Sequence, residues 1–425
     1  MTVGAVGLSY VLLYFDRTLK MSSLSGLAWL YTGGASGARS VLSTVASSVI
    51  TVAGTTFSIT IAALSLASSQ FGPRLLRGFL RDAGNQVVLG TFIGTFVYCL
   101  LILRMVRGGD NALFVPNLAV TGGVFLSLAS VAVLIYFINH VSTSIQAAHV
   151  VSSVTEELIE AIDRLYPAGI GQGVSELEDV PPELLSPCYN ILATKSGYVQ
   201  ILNQDKLIAL AQDKDGVLEI KRRPGTFVTR GCILAVLGAA EEPDEKFCKQ
   251  VNSAFTLGPH RTMIQDAQFG LDQLVEVASR ALSPGINDPF TAIMCLDRIG
   301  QALSDLAARP MPSARRYDDK GVLRVIAEPP TFQGMADASL DQIRQYGSTS
   351  YAVTLRFLET LEAVSPQVRD DDRAVLRRQA MLAYEGRSAL SASEDRQRVA
   401  SRYAETVKAL EAPPYPGPGS EAGKQ

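Results

Sequence analysis

The chain has 425 residues, of which 47% are hydrophobic, and its mean hydropathy is +0.19. This length and apolar content suit a bundle of membrane helices followed by one or two soluble domains. The net charge of −3 and the lack of a basic run with interleaved aromatic residues argue against nucleic-acid binding.

The cysteines and histidines are scattered along the chain. The 5 cysteines form no CxxC pair, and an odd number cannot all pair within one chain, which favours a reducing compartment for the soluble part. The 3 histidines are too dispersed for a zinc motif such as HExxH. The sequence also lacks GxSxG, GxxxxGK[ST] and a GxGxxG that leads from a strand into a helix. We therefore expect no enzymatic activity, no metal and no cofactor.

The chain begins with a short apolar segment that predicts a first span at about 1–15. It is followed by Asp16, Arg17 and Lys20. A cleaved signal peptide would have a basic region before the apolar part and a small-residue cleavage site after it, and this segment has neither. We therefore interpret it as a short membrane helix.

The longest apolar segment runs from 41 to 73 without an Asp, Glu, Lys, Arg or His. At ~1.5 Å per residue it is longer than the ~30 Å of a hydrocarbon core, so we expect a tilted or projecting membrane helix over about 41–70. Its small and hydroxylated residues follow alternating steps of four and three, which places them on one stripe of the helix. This hydroxyl stripe consists of Thr44, Ser48, Thr51, Thr55, Ser58, Ala62, Ser65 and Ser69.

Two interpretations of the hydroxyl stripe are open. Small residues let another helix approach closely, and hydroxyls bond across helices or to the i−4 carbonyl, as is usual in membrane helix packing. Alternatively, copies of this helix surround an axis, and the hydroxyls line a hydrated pore where their oxygens replace part of an ion's hydration shell. The second interpretation requires a homo-oligomer.

Arginines follow the long span and are interleaved with leucine and phenylalanine. Arg74, Arg77 and Arg81 form one basic side of this segment, which we expect to lie at the level of the lipid headgroups. A positive membrane flank is the simple interpretation. A ring of arginines at a pore mouth, which would attract anions, is the alternative.

Two further apolar segments predict spans at about 87–104 and 115–140. In the first of them, Gly90 and Gly94 form a small-xxx-small pair that favours close helix packing. Helical periodicity continues beyond the second as far as Tyr166, with acidic residues between the apolar ones. We therefore expect the fourth helix to continue as a stalk that enters a soluble domain.

Strand signals replace helical ones from 197 to 237. Apolar and polar residues alternate in VLEIKR, and turns are indicated at Asp215-Gly216 and Pro224-Gly225. The segment RRPGTFVTRGCILAVL resembles the barrel-sandwich modules of biotinyl and lipoyl domains, with Val228 and Leu234 expected to point inward. No lysine occupies a hairpin tip as a carrier domain requires, so we expect a small structural β-barrel without a covalent cofactor.

Helical periodicity returns after residue 240. It predicts an amphipathic helix at 265–281 whose apolar side consists of Phe269, Leu271, Leu274, Val275, Val277 and Ala278. Between two predicted helices lies LSPGINDPF, in which a Pro-Gly pair ends the first helix and Asp288 caps the second, with Pro289 at its first position. A well-formed turn in a helical hairpin accounts for Ser283, Asn287 and Asp288. Binding of a ligand or partner at the exposed helix N-terminus is the alternative.

These signals predict an α-helical membrane bundle of about four spans, followed by a mixed α+β soluble domain with a small β-barrel-like module and a C-terminal helical region. The expected regions are a transmembrane domain at 1–142, a stalk helix and linker at 143–187, a β-rich module at 188–240, a helical soluble domain at 241–411 and a disordered tail at 412–425. Within the helical domain we expect a strand at 321–330 and helices at 332–347, 349–364, 368–387 and 391–411.

Four stretches carry a family resemblance: FSITIAALSLASSQFGPRLLRGFLRD, GNQVVLGTFIGTFVYCLLILR, RALSPGINDPFTAI and PPTFQGMADASLDQIRQYG. From about residue 39 to about residue 390, the chain resembles the bacterial predicted membrane proteins known as domain of unknown function 2254 (DUF2254). The resemblance implies an integral membrane protein with several N-terminal spans and a soluble C-terminal part. It implies no established activity.

The leading functional hypothesis is a homo-oligomeric channel or transporter for an ion or small solute, in which the second span lines the route and the soluble region assembles or gates it. The alternative is a membrane-anchored sensor or scaffold whose soluble domain binds a ligand or partner protein. We expect a multi-pass protein of the bacterial inner (plasma) membrane.

The side on which the soluble domain lies is indicated by two opposing signals. The Lys and Arg count of the predicted loops leans against a cytoplasmic C-terminus. The unpaired cysteines and the lack of an export signal favour one, and we expect the soluble domain in the cytoplasm.

Overall fold

The computed structural model describes residues 1–18, 31, 33–72, 83–107, 114–166 and 186–412. The chain forms two compact units, Met1–Val150 and Val151–Gln425. The predicted basic flank at Arg74, Arg77 and Arg81 and the predicted tail beyond Ala412 lie outside the described residues.

Long helices build the first unit. They are α1 (Thr2–Thr18), α2 (Ala35–Phe71), α3 (Ala83–Met105) and α4 (Asn117–Ser144), and α5 (Ala147–Leu165) begins at its end. Among the described residues, three helices are long and apolar enough to cross a membrane: Ala35–Phe71, Gly84–Met105 and Asn117–Ser144. They correspond to the second, third and fourth predicted spans.

The expected number of four spans is corrected to three. The predicted first span, at about 1–15, does form a helix, but α1 has 17 residues and is roughly 26 Å long at 1.5 Å per residue. That length falls short of a typical ~30 Å hydrocarbon core. Instead, α1 packs against α3 and α4.

Small residues set the helix contacts of this unit. The predicted pair Gly90 and Gly94 in α3 faces α1: a Cβ at Gly90 would lie 2.9 Å from the Met1 side chain, and one at Gly94 would lie 3.5 Å from the Ala5 Cβ. Polar bonds join α3 to α4 as well, because the Tyr98 hydroxyl donates to the Ala119 carbonyl over 2.7 Å. A larger residue at Gly90 would require the Met1 side chain to shift, whereas a methyl group at Gly94 would make an ordinary van der Waals contact with α1.

A carboxylate near the end of α1 caps the beginning of α4. Asp16 Oδ1 accepts a hydrogen bond from the Leu118 amide and Oδ2 accepts one from the Ala119 amide, both over 2.9 Å. The first amides of a helix have no partner within the helix, and the helix dipole favours a negative charge at this end. Asp16 therefore joins α1 to the N-terminus of α4, one of the helices that are long and apolar enough to cross a membrane.

The predicted continuous stalk is interrupted. Helix α4 ends at Ser144, a turn occupies Ile145 and Gln146, and α5 starts at Ala147. Of the apolar positions predicted for α5 by helical periodicity, Val151, Val154, Leu158 and Ile162 are buried and Leu165 is half-buried. Because one side of α5 is covered, it is a packed helix of the second unit over most of its length.

Two β-sheets form the first half of the second unit. The strands are β1 (Cys188–Leu192), β2 (Gly197–Leu202), β3 (Val217–Ile220), β4 (Phe227–Val228), β5 (Ile233–Gly238), β6 (Phe255–Gly258), β7 (Arg315–Tyr317) and β8 (Leu323–Ile326). A five-stranded sheet has the order β1-β5-β3-β8-β7, and a three-stranded sheet has the order β4-β2-β6. Only the β3–β8 pair is parallel among the described strand pairs.

The predicted barrel is corrected to these two open sheets, since neither closes among the described residues. Val228 and Leu234 point into the core, as predicted, and are 1% and 0% exposed. The sheets also take strands from outside 188–240, because β6, β7 and β8 lie further along the chain. A helix, α6 (Gln204–Asp213), interrupts the region for which only strands were predicted, and its N-cap Asn203 accepts from the Lys206 amide.

Helices complete the second unit. They are α7 (Glu245–Ala254), α8 (Gln268–Ala281), α9 (Pro289–Ala307), α10 (Phe332–Gly347), α11 (Tyr351–Val364), α12 (Arg373–Gly386) and α13 (Ser393–Glu411). Helix α8 packs against α9 and α10, and α11 packs against α9 and α13. The apolar side predicted for α8 is buried throughout, including Leu271, Leu274 and Val277.

Removing the Asp16 carboxylate should loosen α1 from α4. We expect Asp16→Ala to lower the free energy of unfolding of the first unit by about 1 kcal/mol, the typical value of an N-terminal helix cap. Asp16→Asn keeps one acceptor oxygen and should lose less. The measurement is thermal denaturation of the full chain in detergent, and equal stability of all three proteins would contradict the capping role.

Candidate functional site

The alanine-rich side of α2 is its packing side. Its buried residues are Ala38, Leu42, Ala46, Val49, Ala53, Thr56, Ala63, Ala67 and Phe71. This side contacts α3 and α4. Small side chains allow the helix backbones to approach closely, which is the usual source of association between membrane helices.

The hydroxyl stripe lies on the opposite side of α2. Ala53, which is buried, follows Thr51 by two residues, and two residues correspond to about 200° around an α-helix. The stripe therefore points away from α3 and α4. All of its members are exposed: Thr44, Ser48, Thr51, Thr55, Ser58, Ala62, Ser65 and Ser69.

The stripe hydroxyls donate their protons to the helix backbone. Thr51 Oγ1 donates to the Ser47 carbonyl over 2.8 Å, Thr55 Oγ1 to the Thr51 carbonyl over 3.1 Å and Ser58 Oγ to the Gly54 carbonyl over 3.0 Å. A hydroxyl has one proton and two acceptor lone pairs. The surface that these three residues present outward is therefore a row of acceptor oxygens.

In the second candidate, the turn at 282–290, the side chains of Ser283 and Asp288 form hydrogen bonds within the turn and its flanking helices. Ser283 Oγ donates to the Arg280 carbonyl over 2.6 Å. Asp288 caps α9, as predicted, by accepting from the Thr291 amide over 3.1 Å and from the Thr291 hydroxyl over 2.6 Å. Asn287 has a positive φ of 51°, a conformation that asparagine tolerates better than most residues.

Apolar side chains project from the same turn. Phe290 is 76% exposed and Ile286 is 41% exposed. Their exposure favours a contact surface at the turn over a site that holds a ligand in a pocket. Ser283, Asn287 and Asp288 shape this surface, because their bonds fix the path of the backbone.

A cavity of 270 Å³ lies between α10, α11 and α12 and was not anticipated from the sequence. Its apolar lining includes Ile343, Val353 and Phe357. The Arg344 guanidinium at its wall donates to the Gln379 side-chain oxygen and to Asp341 Oδ1, each over 3.1 Å. The bond to Gln379 connects α10 to α12, the bond to Asp341 lies within α10, and together they assign Arg344 a structural role.

The titratable groups of the second unit that the structure describes do not converge on a metal or nucleophile site. No group of three His, Cys, Asp or Glu side chains is close enough to hold a metal ion within the described ranges. Burial raises the pKa of the Cys295 thiol to about 12. A thiol that stays protonated is a poor nucleophile and metal ligand.

The three-stranded sheet also carries a basic surface that was not predicted from the sequence. The segments 193–203, 221–234 and 255–264, which contain β2, β4 and β6 with their flanks, hold six Lys and Arg and no Asp or Glu. This charge count was available in the sequence. Because the three segments are separated along the chain, only the strand pairing shows that they form one surface.

Comparison with known proteins gives the family. A model of the predicted membrane proteins of DUF2254 matches residues 1–363. The chain belongs to the DUF2254 family.

Two relatives of this DUF2254 protein are an uncharacterized protein of Mycobacterium bovis and an uncharacterized protein of Mycobacterium tuberculosis. Each is 36% identical to it over 351 residues, which cover 81% of this chain and 67% of the relative. No solved structure matches the chain. The family agrees with three apolar helices followed by a mixed α/β region, and it supplies no activity.

Substitutions in the 282–290 turn should show whether Asn287 is needed for its backbone conformation or for its side chain. We expect Asn287→Gly to leave stability within a few tenths of a kcal/mol, because glycine adopts positive φ freely, whereas Asn287→Val should cost about 1–2 kcal/mol. Asp288→Ala should cost about 1 kcal/mol of helix capping. Chemical denaturation of the purified full chain measures all three. Equal stability of the two Asn287 variants would contradict the backbone role.

Proposed function

We propose that this membrane protein is a homo-oligomer in which copies of α2 turn their hydroxyl stripes toward a common route for a cation or small polar solute. The observation that carries the proposal is the position of the stripe: it is exposed and lies opposite the side by which α2 packs in its own subunit. Because α3 and α4 do not cover this surface, we infer that a neighbouring copy of α2 does.

The contrast between α2 and α4 supports this proposal. The exposed residues of α4 include large apolar ones, among them Phe125, Leu128, Val131, Ile135 and Ile138. Lipid tails solvate such side chains well. Helix α2 also exposes large apolar residues, among them Phe57 and Ile61, but its hydroxyl stripe offers small hydroxylated residues, which suit a neighbouring helix or water better than acyl chains.

The chemistry of the stripe favours a cation among possible ions. The protons of Thr51, Thr55 and Ser58 are donated to carbonyls, so acceptor lone pairs face outward. Acceptor oxygens can replace water around a cation, whereas an anion requires donors. We propose that these hydroxyls form a weak, multi-site path and not a tight binding site.

The remaining parts of the proposal concern placement and control. We place the protein in the bacterial inner membrane with its second unit in the cytoplasm, where that unit assembles or gates the α2 route. The proposal includes no covalent chemistry, no cofactor and no nucleic acid.

A second candidate function is a membrane-anchored sensor or scaffold. The exposed Phe290 and Ile286 beside the 282–290 turn favour it, because apolar side chains on a helix N-terminus offer a contact for a partner protein. In this alternative the spans only hold the second unit at the membrane, and the hydroxyl stripe faces lipid or a structural neighbour.

Cross-linking tests whether stripes of different subunits meet. In full-length protein with Cys188, Cys232 and Cys248 replaced by serine, Ser58→Cys should give covalent dimers in native membranes when treated with a short thiol cross-linker. Ile135→Cys, on the apolar exposed side of α4, is the matched control and should give few. Equal or absent cross-linking at the two positions would contradict a shared α2 axis.

Ion flux tests the route itself. Thr51→Leu combined with Thr55→Leu should reduce cation flux in reconstituted vesicles to the level of empty vesicles, because leucine removes the acceptor oxygens and narrows the route. The control combines Thr91→Leu and Thr143→Leu, which replace back-bonded threonines of α3 and α4. Normal flux in the Thr51 and Thr55 variant would overturn the proposal, as would a strictly monomeric protein.

A further inference from the structure

One face of the second unit combines cations with an exposed phenylalanine ring and a half-buried tyrosine. We name it the basic face and define it by Lys195, Tyr198, Arg223, Phe227 and Arg230. Strand pairing brings these residues together: Tyr198 of β2 lies opposite Phe227 of β4, and the Arg230 amide donates to Ser196 Oγ over 2.9 Å, beside Lys195. The Thr226 amide donates to the Arg223 carbonyl, which places Arg223 in the turn that leads into β4.

The aromatic pair stands on the outer side of the sheet. Val199 and Val228, the neighbours of Tyr198 and Phe227 along the strands, are 0% and 1% exposed, so the alternating residues point outward. Phe227 is 52% exposed, and its ring meets that of Tyr198 edge to face at 5.0 Å. The sheet thus holds an apolar ring at the surface in a fixed position.

Within the described part of the chain, no acidic side chain pairs with the cations of this face. Lys195, Arg223 and Arg230 are exposed and have no ion pair among the described residues. Two nearby cations are neutralised: Lys221 pairs with Glu219, and Arg261 pairs with Asp266 and Asp272. The carboxylate of Asp266 lies under the turn at Gly225 and is buried, so it offers no exposed negative charge there.

We propose that the basic face docks on the anionic lipid headgroups of the membrane in which the chain is anchored. Unpaired Lys and Arg are attracted to anionic lipids by about 1 kcal/mol each near the surface, and an aromatic ring at headgroup depth adds an apolar anchor. We favour the bilayer as the partner because the same chain has three helices long and apolar enough to cross it, which tether the second unit to the membrane. This inference does not depend on a pore.

A fluorescence experiment tests the docking in the full chain. The single tryptophan is removed by Trp29→Phe, and Phe227→Trp then places an indole on the basic face. In nanodiscs that contain phosphatidylglycerol with brominated acyl chains, the indole emission should be quenched and the indole should be shielded from acrylamide. In brominated phosphatidylcholine alone, or at high salt, both effects should be largely lost.

Phe290→Trp in the same background is the matched control, because Phe290 is also exposed and lies on α9, outside the strands that form the basic face. It should remain accessible to acrylamide in both lipids. Adding Arg223→Gln and Arg230→Gln to the Phe227→Trp protein should shift the ratio of docked to undocked indole by about thirtyfold toward the undocked form. Both arginines are exposed, so the fold should be preserved.

Three results would overturn the proposal. The first is equal acrylamide access at positions 227 and 290 in phosphatidylglycerol nanodiscs. The second is lipid quenching that is indifferent to headgroup charge and to the two arginine substitutions. The third is protection of the position 227 indole by an added oligonucleotide and not by phosphatidylglycerol, which would assign the face to nucleic acid.

Discussion

The contact between the alanine-rich side of α2 and helices α3 and α4 determines which side chains the first unit exposes. Lipid supplies no hydrophobic force between helices, so close packing of small side chains must hold them together. Because Ala46, Val49 and Ala53 pack against these helices, the helical repeat places Thr51 and Thr55 on the opposite side of α2. The position of the hydroxyl stripe on the outer side of α2 is thus a geometric consequence of which side of the helix packs against α3 and α4.

The two units of the chain expose surfaces of different chemistry. In the first unit, acceptor oxygens form a narrow line on α2 while α4 presents broad apolar side chains. In the second, cations and an aromatic ring share one small sheet, and the 282–290 turn presents Phe290 and Ile286. Each surface differs from its surroundings, and each is built on regular secondary structure that holds its side chains in place.

Local patterns predicted the parts of the fold that depend on neighbours in sequence. The burial of Leu271 and Leu274 followed from helical periodicity, and the Asp288 cap followed from its place before Pro289. Tertiary contacts decided the rest. Helix α6 was missed because its apolar residues lie within a region whose sequence pattern predicts strands. The orientation of the hydroxyl stripe could not be predicted, because it depends on which helices contact α2. The helix break at Ile145 and Gln146 could not be predicted from the sequence, because no glycine or proline lies there.

The parallel pairing of β3 with β8 constrains how the second unit is made. About a hundred residues separate these strands, so a ribosome must deliver the chain as far as Ile326 before the sheet can be completed. Until then β3 is an open edge, with unpaired backbone groups that can recruit other chains. A fragment that ends at residue 240 would preserve that edge permanently. The β-rich segment is therefore part of a larger folding unit whose sheet is completed only after β8 has been synthesised. The shortest fragment that would contain the complete sheet extends past β8.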